Sequence, residues 1–314
     1  MNNKNNISQE YKNVWIITRR KFLKVSALTT AGIWTGLSPA KANFSNSMAK
    51  CRFGIVTDSH YADSPENIGR YYRDSLPKMK ECVTLMNNEK VDFLIELGDL
   101  KDMSHPASEE KTLKYLEAIE KVFAKFKGPN YHVLGNHDMD CISKEQFLSR
   151  INNTNIPKKN KFYSFERKGL HFIVLDANYT SEGLDYKRGN FDWSDSNIPQ
   201  TEIDWLKEDI SKTKKPIIVF THQLLDGNNG SIFINNAKDI RRELENSGKV
   251  LAVFQGHHHK GRYSKINKIH YYTLRAMITG EGKENNSYAI VELYDGYINI
   301  TGYRKAVEKK CLII

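Results

Sequence analysis

The 314-residue chain holds only four cysteines, Cys51, Cys82, Cys141 and Cys311, and none is spaced as CxxC. A sulfur-bound structural zinc site and a dithiol redox motif therefore have no basis in this sequence. Nothing demands a disulfide, and Cys51 reads as a buried thiol opening a strand. The "MAKC" that contains it puts Lys50 where a lipid-attachment box needs a small residue. Past residue 42, no run of about 20 apolar residues marks a spanning helix, so no membrane anchor is expected in the mature chain. Internal repeats, low-complexity tracts and a linker that would divide residues 43–314 are also missing, which argues for one domain over that range. The positive charge has little reach as well. The net +10 includes seven Lys or Arg among the first 42 residues, against Glu10 alone. Without them 40 basic residues face 36 acidic ones, a net charge of +4. With no basic stripe interleaved with aromatics, nucleic acid is not an expected partner.

Residues 1–42 read as an export signal rather than as structure. "TRRKFLK" (Thr18 to Lys24) precedes an uncharged run, Val25 to Ala40, that ends in the small-x-small pattern "AKA". Arg19 and Arg20 with Phe22, Leu23 and Lys24 resemble a twin-arginine signal. That resemblance implies the twin-arginine (Tat) export machinery as a partner, export of the folded chain, a mature start near Asn43 and a periplasmic or secreted location.

Beyond the signal, short apolar runs alternate with segments of helical period, the pattern of an α/β domain. "CRFGIVTD", "VDFLIELGD" and "YHVLGNHD" read as strands, as do "FYSFER" and "LHFIVLDAN", which form a pair turning at Lys168 and Gly169. "PIIVFTH" and "VLAVFQGHHH" are two more buried strands. Helices are expected from about Ser75 to Asn88, over "SEEKTLKYLEAIEKVFAKF", over "PQTEIDWLKEDISK" and over "NAKDIRRELENS". Residues 179–199 lack periodicity; a loop of that length inside a compact domain is more often functional than idle. The C-terminal runs "RYSKI", "IHYYTLRAM", "SYAIVELYDG" and "YINITGYRK" read as one antiparallel meander.

Five short stretches at strand ends collect the potential metal ligands. They are Asp58-Ser59-His60, Gly98-Asp99, Gly135-Asn136-His137-Asp138, Thr221-His222 and Gly256-His257-His258-His259. Ends of strands are where open α/β sheets build ligand sites, so the five loops can meet in one cleft. Taken singly, Asp58 could be a turn aspartate and His222 a satisfied core histidine; together they form a set. Carboxylate, amide oxygen and imidazole suit a borderline divalent ion such as Mn, Fe or Zn. The number of ligands suits two ions about 3.5–4 Å apart sharing one carboxylate. Asp99 is the natural bridge.

The set D-x-H, GD, GNHD, H and GH-x-H resembles the signature of calcineurin-like metallophosphoesterases, and it covers residues 51 to about 260. The resemblance implies a four-layer αββα sandwich, two mixed β-sheets flanked by helices. It assigns Asp58, His60 and His259 to one metal and Asn136, His222 and His257 to a second, with Asp99 bridging. His137 would donate a proton to the leaving oxygen or stabilise the phosphate, and Asp138 would accept from its other nitrogen and orient it. A metal pair suits this chemistry because cations neutralise charge that builds on an anionic ester and acidify a bound water. By the two-residue spacing, His258 points away from the ligands on either side. His105, His132, His171 and His270 read as structural or surface residues.

The signature leaves the substrate open, because one metal centre can serve monoesters, diesters and pyrophosphates. "FGIVTDSHYAD" followed by "RYYRDSL" resembles manganese-dependent ADP-ribose/CDP-alcohol diphosphatases, although that group carries Gln where His60 stands. Arg70 and Arg73 could grip a second phosphate, since a guanidinium fork matches phosphate oxygens, or could sit on a solvated helix start. Tyr72 and the aromatics of residues 179–199 could stack on a base or sugar, or simply pack. The expected substrate is a small phosphodiester or nucleotide-type pyrophosphate, with a phosphomonoester as the alternative. A non-catalytic binding protein on this fold should lack a ligand or the bridge, and this chain lacks neither.

Overall fold

The computed structural model describes residues 48–228 and 230–313. The export signal and the mature start near Asn43 lie outside the described residues. In chain order the elements are β1 (Cys51–Val56), α1 (Ser75–Glu89), β2 (Phe93–Glu96), α2 (Glu109–Phe123), β3 (Asn130–His132) and α3 (Lys144–Arg150). There follow β4 (Tyr163–Arg167), β5 (Leu170–Val174), α4 (Gln200–Lys212), β6 (Ile217–Phe220), α5 (Ala237–Asn246) and β7 (Val250–Gln255). The chain closes with β8 (Arg262–Ile266), β9 (Ile269–Thr273), β10 (Ser287–Leu293), β11 (Tyr297–Arg304) and β12 (Lys309–Leu312).

Two six-stranded sheets result, ordered β12-β11-β10-β1-β2-β3 and β4-β5-β6-β7-β9-β8. In the first, β1, β2 and β3 are parallel while β10, β11 and β12 add antiparallel pairs. In the second, β5, β6, β7 and β9 are parallel, with β4 and β8 antiparallel at the edges. Both sheets are mixed and flanked by helices, the layered α/β arrangement expected.

The layering follows from strands that are apolar on both faces, as buried parallel strands are. Because side chains alternate sides along a strand, Phe172 and Val174 of β5 enter the core between the sheets while Ile173 faces the helices. Ile218 and Phe220 of β6, and Ala252 and Phe254 of β7, point inward in the same way. Helices α1, α2 and α3 bury Met79, Leu116 and Phe147 over the first sheet, and α4 and α5 bury Leu206 and Ile240 over the second. At the centre Phe53 stacks on Phe93 with centroids 4.8 Å apart and meets Phe172, Phe220 and Phe254 edge-on at 5.7–5.8 Å.

Three features depart from the sequence reading. The expected meander is split: β8 and β9 close the second sheet, whereas β10 and β11 belong to the first. The connection between Thr273 and Ser287 crosses from one sheet to the other beside the strand ends. A hydrophobic period marks strands but not their sheet. Helix α3, only seven residues, and the mostly polar β12 are too short or too little patterned to announce themselves. The third strand ends at His132, and the rest of "VLGNHD" is loop and a 3₁₀ turn over Asn136–Met139.

Residues 176–199 are an ordered structure despite lacking period. Lys144 of α3 is fully buried, with its Nζ 2.6 Å from Asp176 and 2.8 Å from Asp185 and lying 3.4 Å above the Tyr179 ring. The Tyr186 hydroxyl reaches the carbonyls of Asp192, at 2.7 Å, and Asp195. A buried charge needs this complete satisfaction, and the result is a loop held at both ends.

Phe53→Ala removes the ring at the centre of the inter-sheet core. It is expected to lower unfolding free energy by about 3–5 kcal/mol in urea titrations followed by far-UV circular dichroism. A loss below about 1 kcal/mol would count against this core.

Candidate metal centre

Each candidate ligand lies two to four residues beyond the end of a parallel strand: Asp58 after β1, Asp99 after β2, Asn136 after β3, His222 after β6 and His257 after β7. Backbone bonds tie these loops together. Asp58 N–H donates to the Gly98 carbonyl, His60 N–H to that of Asp99 and Gly256 N–H to that of His222, at 2.8–3.0 Å. Glycine permits the close approach. A Cβ on Gly135 would lie 2.0 Å from the Asp99 nitrogen, and one on Gly256 would lie 2.2 Å from Thr57 Oγ1. Asp58, His60, Asp99 and His257 all hold positive φ, between 44° and 63°. Non-glycine residues adopt this strained region mainly where surrounding structure and function require it.

The side chains converge in two groups, Asp58 with His60 and His259, and Asp99 with His222 and His257; ligand atoms in each lie within 4.8 Å of one another. Asp99 Oδ2 belongs to both by distance, 3.1 Å from His222 Nε2 and 3.4 Å from His60 Nε2. His60 Nε2 is in turn 3.2 Å from His259 Nε2, and His259 Nε2 is 3.4 Å from Asp58 Oδ1. Asn136 lines the same cavity as Asp99 and His257.

These atoms fit cations rather than one another. Asp58 Oδ1, Asn136 Oδ1, His222 Nε2 and His257 Nε2 are buried without a hydrogen-bond partner, a costly state for polar atoms that nothing else satisfies. His222 Nδ1 lies 2.8 Å from the Leu97 carbonyl. A carbonyl only accepts, so Nδ1 carries a proton and Nε2, 3.1 Å from Asp99 Oδ2, is the nitrogen left for a cation or, without one, a second proton.

The electrostatics agree. Burial works against ionisation of Asp58, yet His259, His60 and His222 outweigh it and hold the carboxyl well below the usual range. Asp99 is likewise lowered, against its burial, by His222 and His60. Burial disfavours a charged His222, but Asp99 dominates and raises it to about 9. His257, buried beside His222, is pushed down to about 3. The carboxylates demand positive charge, and His222 takes a proton to supply it where no cation does.

Asp138 does not orient His137. Its carboxylate accepts from the backbone N–H groups of Gly135 and Asp99, at 2.8 and 3.1 Å, and of Leu100 and Lys101, at 3.0 and 3.4 Å. It staples the Asp99 loop to the Asn136 turn, and burial followed by the charge of Asp99 raises it to about 6. The groups facing His137 Nδ1 are Asp102 Oδ1 at 3.3 Å and Asp140 Oδ2 at 3.4 Å. Asp102 Oδ2 also lies 3.4 Å from His60 Nδ1, on the side opposite the ligands. Burial opposes protonation of His137, yet Asp102 and Asp140, with Asp99, raise it well above the ordinary histidine value. Asp102 was missed by sequence reasoning; its signal was an acid three residues past Asp99 in the same loop.

A cavity of about 370 Å³ opens onto the centre, lined by Arg70, His137, His259, Trp193 and Ile232 besides the residues above. Phe191 packs on His137 with centroids 5.3 Å apart, and Trp193 lies 6.4 Å from His257. Arg70 points inward, 3.6 Å from Asp102. Arg73 and Tyr72 do not join it. Arg73 forms an exposed ion pair with Asp63, and Tyr72 is buried against Ala62, Ala276 and Ile278. The Tyr72 ring is thus outside the cavity, although its hydroxyl faces the Arg70 side chain, and Arg73 turns to solvent. His258 belongs to neither ligand group. His105 is exposed, while His132 pairs with Glu120, His171 with Glu166 and Asp209, and His270 with Tyr263.

Residues 51–261 match the family of calcineurin-like phosphoesterases. The chain belongs to that family. Calcineurin-like phosphoesterases are metal-dependent hydrolases with a binuclear divalent metal site, and the two groups around Asp99 are the residues of this chain that could hold one. A manganese-dependent ADP-ribose/CDP-alcohol diphosphatase of Oryza sativa subsp. japonica is 24% identical over 299 residues, covering 82% of this chain and 92% of that protein. The diphosphatase of the same description from Homo sapiens is 22% identical over 307 residues, covering 80% and 89%. Among solved structures, a dimetal phosphatase from Danio rerio superposes with a TM-score of 0.75 at 19% identity, covering 85% of this chain and all of that one.

Titration with manganese(II), read by electron paramagnetic resonance, tests the ligand groups in this calcineurin-like phosphoesterase. His257→Ala and His259→Ala are each expected to weaken binding by about 100-fold or more, since even an outer-shell partner is worth about 10–100-fold. His258→Ala is expected to change it less than about twofold. Equal effects of all three would sink the assignment.

Proposed function

We propose that this phosphoesterase hydrolyses a small phosphodiester or nucleotide-type pyrophosphate. In this reading Asp58, His60 and His259 would hold one divalent cation and Asn136, His222 and His257 the other, with Asp99 available to both. The observation that carries it is the position of Asp99 Oδ2 between His60 Nε2 and His222 Nε2, one from each ligand group, beside a cavity that also presents an arginine and a tryptophan. Bound cations supply charge neutralisation at phosphorus and an acidified water as nucleophile.

The chain's own groups do the rest. His137 lines the cavity with Nδ1 turned to Asp102 and Asp140. Its Nε2 is then free to donate a proton to the departing oxygen, and the two carboxylates keep the ring charged until it does. Asp102 also faces His60, so one carboxylate orients both a ligand and the acid. Arg70 offers two donors to non-bridging phosphate oxygens. Trp193, about half exposed, offers a flat face to a base or sugar. A diphosphatase activity is the property named for proteins similar to this chain over four-fifths of its length, and it supports this choice of substrate; with His60 in place of that group's Gln, their manganese dependence leaves the metal among Mn, Fe and Zn.

Assays of the purified, manganese-loaded protein with ADP-ribose, bis(p-nitrophenyl) phosphate and p-nitrophenyl phosphate decide among substrates. Turnover of the first two is expected. Activity on the monoester alone would replace this reading with a phosphatase that scavenges phosphate.

The export route is a separate proposal, supported by the twin arginines and the uncharged run that follows them. Arg19→Lys/Arg20→Lys is expected to leave the full-length chain in the cytoplasm when periplasmic and cytoplasmic fractions are compared. Undiminished export of that variant would exclude a Tat signal.

A further inference from the structure

A second cavity, of about 430 Å³, opens on the other side of His259. The same histidine lines it and the catalytic cavity, so the two are neighbours across one side chain. Their chemistry differs. The catalytic cavity presents Asp99 and the apolar walls of Trp193 and Ile232, whereas the second presents Lys260, Arg275 and Lys305 and no acidic side chain. Among the described residues, none of these three cations lies within ion-pair distance of a carboxylate. Lys260 and Lys305 are exposed and Arg275 is partly buried, so what sets them apart is that they line one cavity with no acid among its walls.

Three loops bring the cations together. Lys260 follows the ligand His259, and the His259 carbonyl accepts from Ala276 N–H at 3.1 Å, which sets Arg275 alongside. Gly261, at φ +68°, leaves room for the arginine stem: a Cβ there would lie 2.7 Å from Arg275 Cγ. Lys305 enters just past β11, its N–H bonded to the Asn286 carbonyl at 2.9 Å, and its own carbonyl is 3.5 Å from Arg275 Nη1. Three unpaired cations converging at a concave site form an anion receptor, and a guanidinium flanked by ammonium groups matches a phosphoryl dianion.

We propose that Lys260, Arg275 and Lys305 form a subsite for a second phosphoryl group of the substrate, distinct from the phosphorus that is attacked. The proposal rests on the phosphoester-hydrolase reading above and narrows it to nucleotides that carry an additional phosphate monoester. Such a molecule spans His259, with its reacting phosphorus at the ligand groups and its terminal phosphate among the three cations.

Calorimetric titration of the manganese-loaded, full-length protein with adenosine 5′-monophosphate, adenosine 2′,5′-bisphosphate and adenosine 3′,5′-bisphosphate tests this without turnover. At least one bisphosphate is expected to bind about tenfold or more tighter than the monophosphate, the worth of one charge-assisted hydrogen bond. Arg275→Ala/Lys305→Ala is expected to abolish that preference while leaving monophosphate affinity within about twofold. Equal affinities in the unaltered protein, or a preference that survives the double variant, would overturn the subsite. Hydrolysis of bis(p-nitrophenyl) phosphate by both proteins is the parallel readout. Its absence from both counts against the hydrolase reading, and the binding comparison still decides the subsite.

Discussion

Asp58 and Asp99 are buried carboxylates facing imidazole nitrogens at 3.1–3.4 Å, and several of the polar atoms gathered there have no hydrogen-bond partner. In a low-dielectric interior such an arrangement is costly unless positive charge sits among them. The loops around the centre are shaped by holding these atoms in place. Four of the ligand candidates adopt left-handed backbone conformations, and glycines stand where a side chain would strike the neighbouring loop. Asp138 gathers four backbone N–H groups to lock two of the loops together. The architecture supplies the strain, and bound cations would relieve the charge.

Parallel strands make such a site possible. Each sends its C-terminal end toward the same edge of its sheet, and two sheets stacked face to face bring two such edges together. Asp58, Asp99 and Asn136 come from the first sheet, His222 and His257 from the second. The centre therefore bridges the sheets, and the phenylalanine cluster around Phe53 keeps them in register beneath it. The surroundings of the centre divide the tasks. The loop of residues 176–199, anchored by the buried Lys144, brings an apolar wall with Trp193. The crossing from β9 to β10 brings Arg275, and the chain beyond β11 brings Lys305. The two sides differ in chemistry, apolar by Trp193 in one cavity and basic by Arg275 and Lys305 in the cavity across His259.

The layered fold and the five ligand-bearing loops could be read from the amino-acid order. Both depend on local pattern: apolar strands of four to six residues, helices with an apolar stripe, and a short run of chemically distinctive side chains at each strand end. The unequal standing of His257, His258 and His259 was legible too, but not for the reason of strand alternation. Strand β7 ends at Gln255, His257 holds a φ of +63° and the backbone turns at His258, so the turn delivers His257 and His259 to different ligand groups. What could not be read depends on direction or on partners distant in the chain. Asp138 is adjacent to His137 in sequence, yet its carboxylate turns toward backbone amides of another loop. Asp102, with no motif of its own, takes the place beside the imidazole. Arg70, Tyr72 and Arg73 sit within four residues of one another and end in a cavity, a core and solvent. Thus the sequence by itself determined the set of candidate ligands, because side-chain chemistry and spacing are local properties, and through its resemblance to calcineurin-like metallophosphoesterases the reaction class. Only the tertiary structure decided which carboxylate serves His137, which walls the cavity has and where the unpaired cations gather, because those depend on contacts among residues up to 200 positions apart.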